Sequence, residues 1–272
     1  RGRHCEKPAA RQLPVNLINE GVVTRSVRDT ARFHAEAEKY YRNPKLPEMG
    51  LVEGPGSRRL RIGLWLQHVA GESIDAPTAA AVEDAARLLA QNGHMVEPIP
   101  VPVQRTFVED FGLYWSLLAY LFEKSGHRTL DASFDAGLVD GLTRGLSNQF
   151  KRKFYKAPVF IWRLRRVYRE YARLFQDFDA VLSPVLSHTT PQLGHISPTV
   201  EFEELFSRLM RYVGFTPWAN ASGGPAIALP AALTDNNLPV AVQLFAGHGM
   251  ERTLLELAFE IEADRPFSRI QG

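Results

Sequence analysis

The chain has 272 residues, of which 45% are apolar and 23% charged, a composition typical of a globular protein with a sizeable core. Its formal net charge of +2 is too small to indicate a nucleic-acid-binding protein. No apolar run reaches the ~18 residues of a membrane-spanning helix. The single cysteine, Cys5, excludes an internal disulfide framework, and we therefore expect a cytoplasmic protein.

Apolar periodicity and turn residues predict alternating helices and strands. In chain order these are helix 27–41, strand 61–67, helix 75–92, strand 95–103, helical regions in 107–123 and 130–148, helix 151–175, strand 179–185, helix 200–211, strands 226–230 and 239–245, and helix 250–263. Ser26 is the expected N-cap of the first helix, and Gly93 is expected to end the second. The strand–helix–strand order over 61–103 is a βαβ unit, so the sequence predicts an α/β fold with a mixed β-sheet flanked by helices.

Two of these helical segments invite functional interpretations. The segment 107–123 is strongly apolar, which is typical of a buried helix, with a membrane-facing or substrate-pocket helix as the alternative. The segment 151–175 is the most basic of the chain and could bind anionic partners. Its apolar stripe, which includes Leu164, Val167, Tyr168 and Tyr171, favours an ordinary packed helix with a solvated basic face.

Residue patterns for nucleophilic catalysis are weak. Ser222 precedes two glycines but lacks the Gly-x-Ser-x-Gly spacing of a nucleophile elbow. Ser183 and His188 could form a nucleophile–base pair, yet no aspartate is identifiably placed to orient the imidazole. His248, between two glycines, is expected to be a turn residue. The sequence contains no metal-ligand spacing, P-loop or dinucleotide fingerprint, so we predict neither a metal nor a cofactor.

The most informative pattern lies in residues 215–263. It consists of Thr-Pro-Trp-Ala-Asn-Ala-Ser-Gly-Gly-Pro-Ala-Ile over 216–227, Leu-Pro-Val-Ala-Val-Gln-Leu over 238–244 and Thr-Leu-Leu-Glu-Leu-Ala over 253–258. The two apolar runs, joined by an Asn/Asp turn, predict a pair of buried strands. The helix that follows them is expected to turn Glu251, Glu256 and Glu260 mostly to water. In this order the motifs resemble the end of the amidase signature family of amide hydrolases. The segment 21–31, with Val22 where the family has proline, and the strand at Asp179 are similar to further elements of that family.

The resemblance implies where the catalytic groups would be. Members of the family use a serine nucleophile, a second serine in a cis peptide linkage and a buried lysine base, all within a Gly/Ser-rich core followed by a Lys-Pro-x-x-Gly-Arg segment. Gly2 and Arg3 resemble the end of that segment, and the core is absent from the sequence. We therefore expect residues 1–272 to be the C-terminal portion of a single amidase signature domain, with the triad upstream of Arg1 and no catalytic residue here.

The resemblance also implies an activity for the whole enzyme. It would hydrolyse a carboxamide to a carboxylate and ammonia or an amine through an acyl-serine intermediate. Its partners would be a small-molecule amide and the upstream N-terminal portion of the enzyme, on the same or a separate chain. We expect no binding to nucleic acid or to a membrane, and a homo-oligomer is possible. The tRNA-dependent amidotransferase branch has an acidic residue near Val213, so the apolar side chain here favours a general amidase.

The candidate substrate-lining residues come from the same motifs, and each has a structural role as its alternative. They are Ser183, His188, Thr216, Trp218, Asn220 and Gln243. Two other functions compete with the enzyme. One is a non-catalytic binding or assembly subunit on a degenerate amidase fold, and the other is a basic-helix module for anionic partners.

Overall fold

The computed structural model describes residues 2–3 and 13–267, and Cys5 lies outside these ranges. The helices are α1 (Val27–Tyr40), α2 (Ala76–Gln91), α3 (Phe107–Thr129), α4 (Gly141–Lys153), α5 (Ala157–Asp177), α6 (Phe202–Tyr212), α7 (Pro217–Ser222) and α8 (Glu251–Asp264). The strands are β1 (Arg61–Leu64), β2 (Met95–Pro98), β3 (Ala180–Pro184), β4 (Ala226–Leu233) and β5 (Pro239–Ala246). Short 3-10 helices occupy Ala136–Leu138 and Phe154–Lys156.

The strands form one mixed sheet in the order β2-β1-β3-β5-β4. Strands β2, β1 and β3 are parallel, whereas β5 is antiparallel to both β3 and β4. The predicted α/β fold is therefore confirmed, including the βαβ unit, and β2 lies at one edge of the sheet. The sheet brings the carboxyl ends of β1, β2 and β3 to the same side, which is where α/β proteins generally bind ligands.

Helices cover both faces of the sheet because successive strand residues point to opposite faces. Ala180 and Leu182 of β3 face a core formed with α1, α2 and α8. Val181, between them, faces a second core formed with α3, α5 and α7. The second core is rich in aromatic rings, with Trp65 and Trp218 both completely enclosed.

Local signals that set helix ends are confirmed. The Ser26 side chain accepts a hydrogen bond from the Asp29 backbone N–H and caps α1. Asp75 caps α2 in the same way through Thr78. Gly93 adopts a φ of +91° after α2, a left-handed conformation that favours glycine. No helix within the described ranges is long and apolar enough to span a bilayer.

Several helix boundaries differ from the prediction. The apolar helix α3 continues to Thr129, and the predicted helix 151–175 is divided by the 3-10 turn at Phe154–Lys156, because Pro158 suits the first turn of a helix and not its interior. Helix α7 was not predicted. Pro217 opens it, and Gly223, with a φ of +73°, ends it.

Three expectations about burial were wrong. β4 is an exposed edge strand and not a buried one, since only β5 pairs with it in the described structure. Tyr168 is 48% exposed and stacks on the ring of His248. Glu260 is buried and not turned to water, because His94 donates a hydrogen bond to it. Leu60 N–H donates to His94 Nδ1, so Nε2 carries the proton and donates to the Glu260 carboxylate at 2.7 Å.

Candidate active-site surface

Three loops meet where β1 and β3 end. Asp75, at the start of α2, accepts a hydrogen bond from Thr189 N–H at 2.8 Å and donates its own N–H to the Ser187 carbonyl. Ser187 N–H in turn donates to the carbonyl of Tyr212, at the end of α6, at 3.0 Å. The loop after β3, which carries His188, is thereby tied to both helices.

The Asp75 carboxylate is the centre of this connection. One oxygen caps α2 through Thr78 N–H at 3.0 Å, and the other receives Thr189 N–H. Partial burial favours the protonated acid, but the hydrogen bonds from Thr189 and Thr78 outweigh it and lower the pKa of Asp75. The ionised carboxylate is thus the form that holds the loop.

We expect Asp75→Asn to lower the free energy of unfolding at pH 7 by about 1.5–3 kcal/mol, because an amide cannot accept both N–H groups. The folded pKa lies below the ordinary 3.8, so the contribution of Asp75 is complete above that value and is lost as the pH falls through the folded pKa. Urea unfolding at pH 7 and at progressively lower pH measures both effects.

Asp140→Asn is the matched control for this prediction. Asp140 caps α4 by accepting Thr143 N–H at 2.7 Å, without a second loop to hold. Asparagine is as good an N-cap as aspartate, so we expect this control to change stability by no more than a few tenths of a kcal/mol. Equal losses in the two variants would refute a loop-holding role for Asp75.

His68 closes the other side of this loop cluster. Ala70 N–H donates to its Nδ1 at 3.0 Å, so its Nε2 is the protonated nitrogen and donates to the Arg211 carbonyl at 3.0 Å. Burial lowers the pKa of His68, which keeps the ring neutral. The ring packs so tightly on Gly214 that a Cβ there would lie 2.0 Å from it. A glycine is therefore required at this point.

Two of the predicted lining residues lie opposite each other in the sheet. Ser183 of β3 pairs in register with Gln243 of β5, and both are buried. The Ser183 hydroxyl donates to the Pro184 carbonyl at 2.7 Å. The amide oxygen of Gln243 has no hydrogen-bond partner among the described residues.

The alternative nucleophiles are engaged with backbone groups. His188 contacts the Thr189 carbonyl through Nδ1 at 2.8 Å, and its ring lies on Tyr212 with 4.6 Å between centroids. Ser222 donates to the Ala219 carbonyl and accepts Gly224 N–H, which completes the end of α7. The geometry supports turn-forming and capping roles for Ser183 and Ser222, and it does not bring Ser183 and His188 into a hydrogen-bonded pair.

The remaining candidates lie in α7 or directly before it. Thr216 precedes the helix and is partly buried, without capping it. Asn220 donates to the Leu17 carbonyl at 2.9 Å and so ties the segment before α1 to this helix. Trp218 is 1% exposed, and its ring is enclosed by other aromatic rings of the second core. Its position matches the structural alternative, core filling.

The residues that organise this surface were not recognised as site residues from the sequence. Asp75 was predicted only to begin a helix, and no local signal connects it to Thr189, 114 positions away. His68 likewise meets Arg211 across 143 positions. Within the described ranges, no three His, Cys, Asp or Glu side chains cluster closely enough to hold a metal ion.

Comparisons with known proteins place the chain in a family. A family model described as Amidase matches residues 1–255. The chain belongs to the amidase signature family. A relative named "Putative amidase AmiC" from Mycobacterium leprae is 42% identical over the full length of this chain and 58% of its own length. The 2-amino-5-chloromuconic acid deaminase of Comamonas testosteroni is 30% identical over 92% of this chain and 52% of its own length.

Solved structures agree on the amidase fold. A 6-aminohexanoate cyclic dimer hydrolase, solved with its substrate, matches with a TM-score of 0.78 at 24% identity, covering 98% of this chain and 59% of its own. A bacterial aryl acylamidase of the amidase signature family matches with a TM-score of 0.67 at 16% identity, covering 91% of this chain and 53% of its own. The chain thus spans a little over half the length of these relatives.

Proposed function

We propose that this chain is part of an amide hydrolase that converts a carboxamide to a carboxylate and ammonia or an amine. Membership of the amidase signature family carries the proposal. The names of the relatives support it, since they include "Putative amidase AmiC", a 6-aminohexanoate cyclic dimer hydrolase and an aryl acylamidase. We further propose that the enzyme works in the cytoplasm, for which the single cysteine is the support.

We also propose that residues 1–272 are the C-terminal portion of the amidase domain and that a Ser–cis-Ser–Lys triad is supplied by polypeptide preceding Arg1. An amide carbonyl is a poor electrophile, so a serine needs a base and an oxyanion-stabilising loop to attack it. The serines suggested by the sequence, Ser183 and Ser222, instead bond to backbone carbonyls. This chain would then supply part of the sheet, part of the layer that shields the active site from water, and part of the substrate pocket.

The free edge of β4 supports a further polypeptide beside the sheet. β4 is an exposed strand whose outer backbone groups are unpaired by any described strand. Natural proteins usually cover such an edge. The outer backbone groups of β4 would gain hydrogen-bond partners from an added strand or covering segment.

A fluorophosphonate probe, which labels activated serines, tests the proposal. We expect labelling, together with release of ammonia or amine from a panel of aliphatic and aryl amides, for the full-length polypeptide that includes this chain. We expect neither for residues 1–272 alone. Labelling of Ser183 or Ser222 in the isolated chain would refute the upstream triad. A full-length protein that neither reacts nor hydrolyses would favour the non-catalytic subunit.

A further inference from the structure

A cavity of about 1300 Å³ lies beyond the carboxyl ends of β1 and β2. Its walls are the loop 66–74 after β1, the loop 100–105 after β2, and side chains of α3, α4 and α6. This is the side of the sheet where α/β folds usually bind small molecules. The volume is ample for one such ligand.

The interior of the cavity is largely apolar. Val101 and Val103 line it from the loop after β2, Leu113 from α3, and Phe206 and Met210 from α6. Phe206 is held by the indole of Trp115, with 6.1 Å between the ring centroids. A ligand with an aryl or alkyl body would therefore displace water from apolar side chains.

The cavity lining carries two acidic and two basic side chains. The acidic ones have ion-pair partners from outside the lining: Glu109 bonds to Lys156 at 2.8 Å, and Glu72 lies 3.6 Å from Arg211. The hydrogen bond from Lys156, with a smaller contribution from the charge of Lys153, lowers the pKa of Glu109. Neither Arg105 nor Lys153 has a direct ion pair within 4.0 Å among the described residues, so both can bind an added anion beside the apolar walls.

We propose that this cavity binds a small amphipathic carboxylate. The apolar body packs against Val103, Leu113 and Phe206, and Arg105 and Lys153 bind the anionic group. Charge-assisted hydrogen bonds from arginine and lysine to a carboxylate are stronger than neutral ones, and the apolar walls favour an organic anion over an inorganic one. Binding at this site does not depend on the proposed amidase activity.

The cavity also lies next to the candidate active-site surface. His68 lines it and, on its other side, packs on Gly214 near the Ser187 hydroxyl. The carboxylate could therefore belong to the tail of the amide substrate or to a separate ligand. Competition with amide hydrolysis separates these two sources, and either result is compatible with the site.

Calorimetric titration of the full-length protein with 4-phenylbutyrate tests the site. We expect the neutral analogue 4-phenylbutanol and inorganic phosphate each to bind about tenfold or more weakly, since the first lacks the charge and the second the apolar body. We expect Arg105→Gln and Lys153→Gln each to weaken 4-phenylbutyrate binding by about tenfold. Competitive inhibition of hydrolysis by 4-phenylbutyrate would assign the cavity to the substrate tail, and binding without inhibition would assign it to a separate ligand.

Arg169→Gln is the matched control, because Arg169 is an exposed cation on α5 outside the cavity lining. It should leave the affinity within about twofold. Circular dichroism melting curves establish that all three variants are folded. Equal affinity for the carboxylate and the alcohol, equal losses in the variants and the control, or no heat of binding up to about 10 mM would each overturn the proposal.

Discussion

Trp218→Ala is expected to lower the free energy of unfolding by about 3–5 kcal/mol, among the largest effects of any single substitution in this chain. The indole lies between rings of β5, α5 and the residue after β1, with centroids 4.9 Å from Phe245, 4.5 Å from Tyr171 and 5.4 Å from Trp65. Alanine would leave a large void between the sheet and α5, which the close-packed rings could fill only partly. Denaturant unfolding measures the loss.

Trp218→Phe distinguishes core filling from a polar role. The indole Nε1 has no hydrogen-bond partner among the described residues. The phenylalanine variant therefore loses ring volume but no hydrogen bond to those residues. We expect it to recover at least half of the loss in the alanine variant. A phenylalanine variant as unstable as the alanine variant would contradict this, and would show that this position requires the full indole.

Arg3→Met is expected to lower the free energy of unfolding by about 3–5 kcal/mol, because it leaves two carboxylates without their cation. Arg3 is 6% exposed and binds Glu38 at 2.8 Å and Glu251 at 2.5 Å. It also donates to the carbonyls of Pro47 and Gly249. Burial alone would lower the pKa of Arg3, yet the two carboxylates outweigh it and raise that pKa, so the guanidinium stays charged.

Two comparisons test this interpretation of Arg3. Arg28→Met removes an exposed pair with Asp29, 63% and 46% accessible, and should change stability by less than about 1 kcal/mol. Adding Glu38→Gln and Glu251→Gln to Arg3→Met should restore part of the stability by removing the uncompensated charges. Equal effects of the Arg3 and Arg28 substitutions would show that burial of the Arg3 pair contributes nothing.

Buried Arg3 gives the resemblance at the start of the chain a physical meaning. A charged side chain at a chain's beginning is ordinarily solvated, yet here it joins α1 to the start of α8. The segment that the sequence compares with the end of the family's Lys-Pro-x-x-Gly-Arg element is thereby fixed against the C-terminal helix.

The local sequence was sufficient for most of the fold. Apolar periodicity correctly predicted α1, α2, α8 and the parallel β1–β2 pair, because each of these elements buries one face at regular spacing along the chain. Capping was equally local: the Ser26 hydroxyl meets Asp29 N–H only three residues along, and Gly93 supplies its own left-handed turn. The family resemblance in 215–263 was confirmed for the same reason, since its glycine, proline and strand signals follow one another along the chain.

Only the tertiary structure decided which polar residues are buried and what holds the candidate site. The helical pattern places Glu260 with solvent-facing glutamates, yet His94 from another element meets it. The apolar run of β4 predicts burial, but exposure depends on whether a strand lies beside it. Asp75 and His68 act across more than one hundred positions. Hydrogen bonds between residues distant in sequence produce no periodic pattern along the chain. Composition and spacing therefore determined the helices and strands, whereas tertiary packing determined the candidate site.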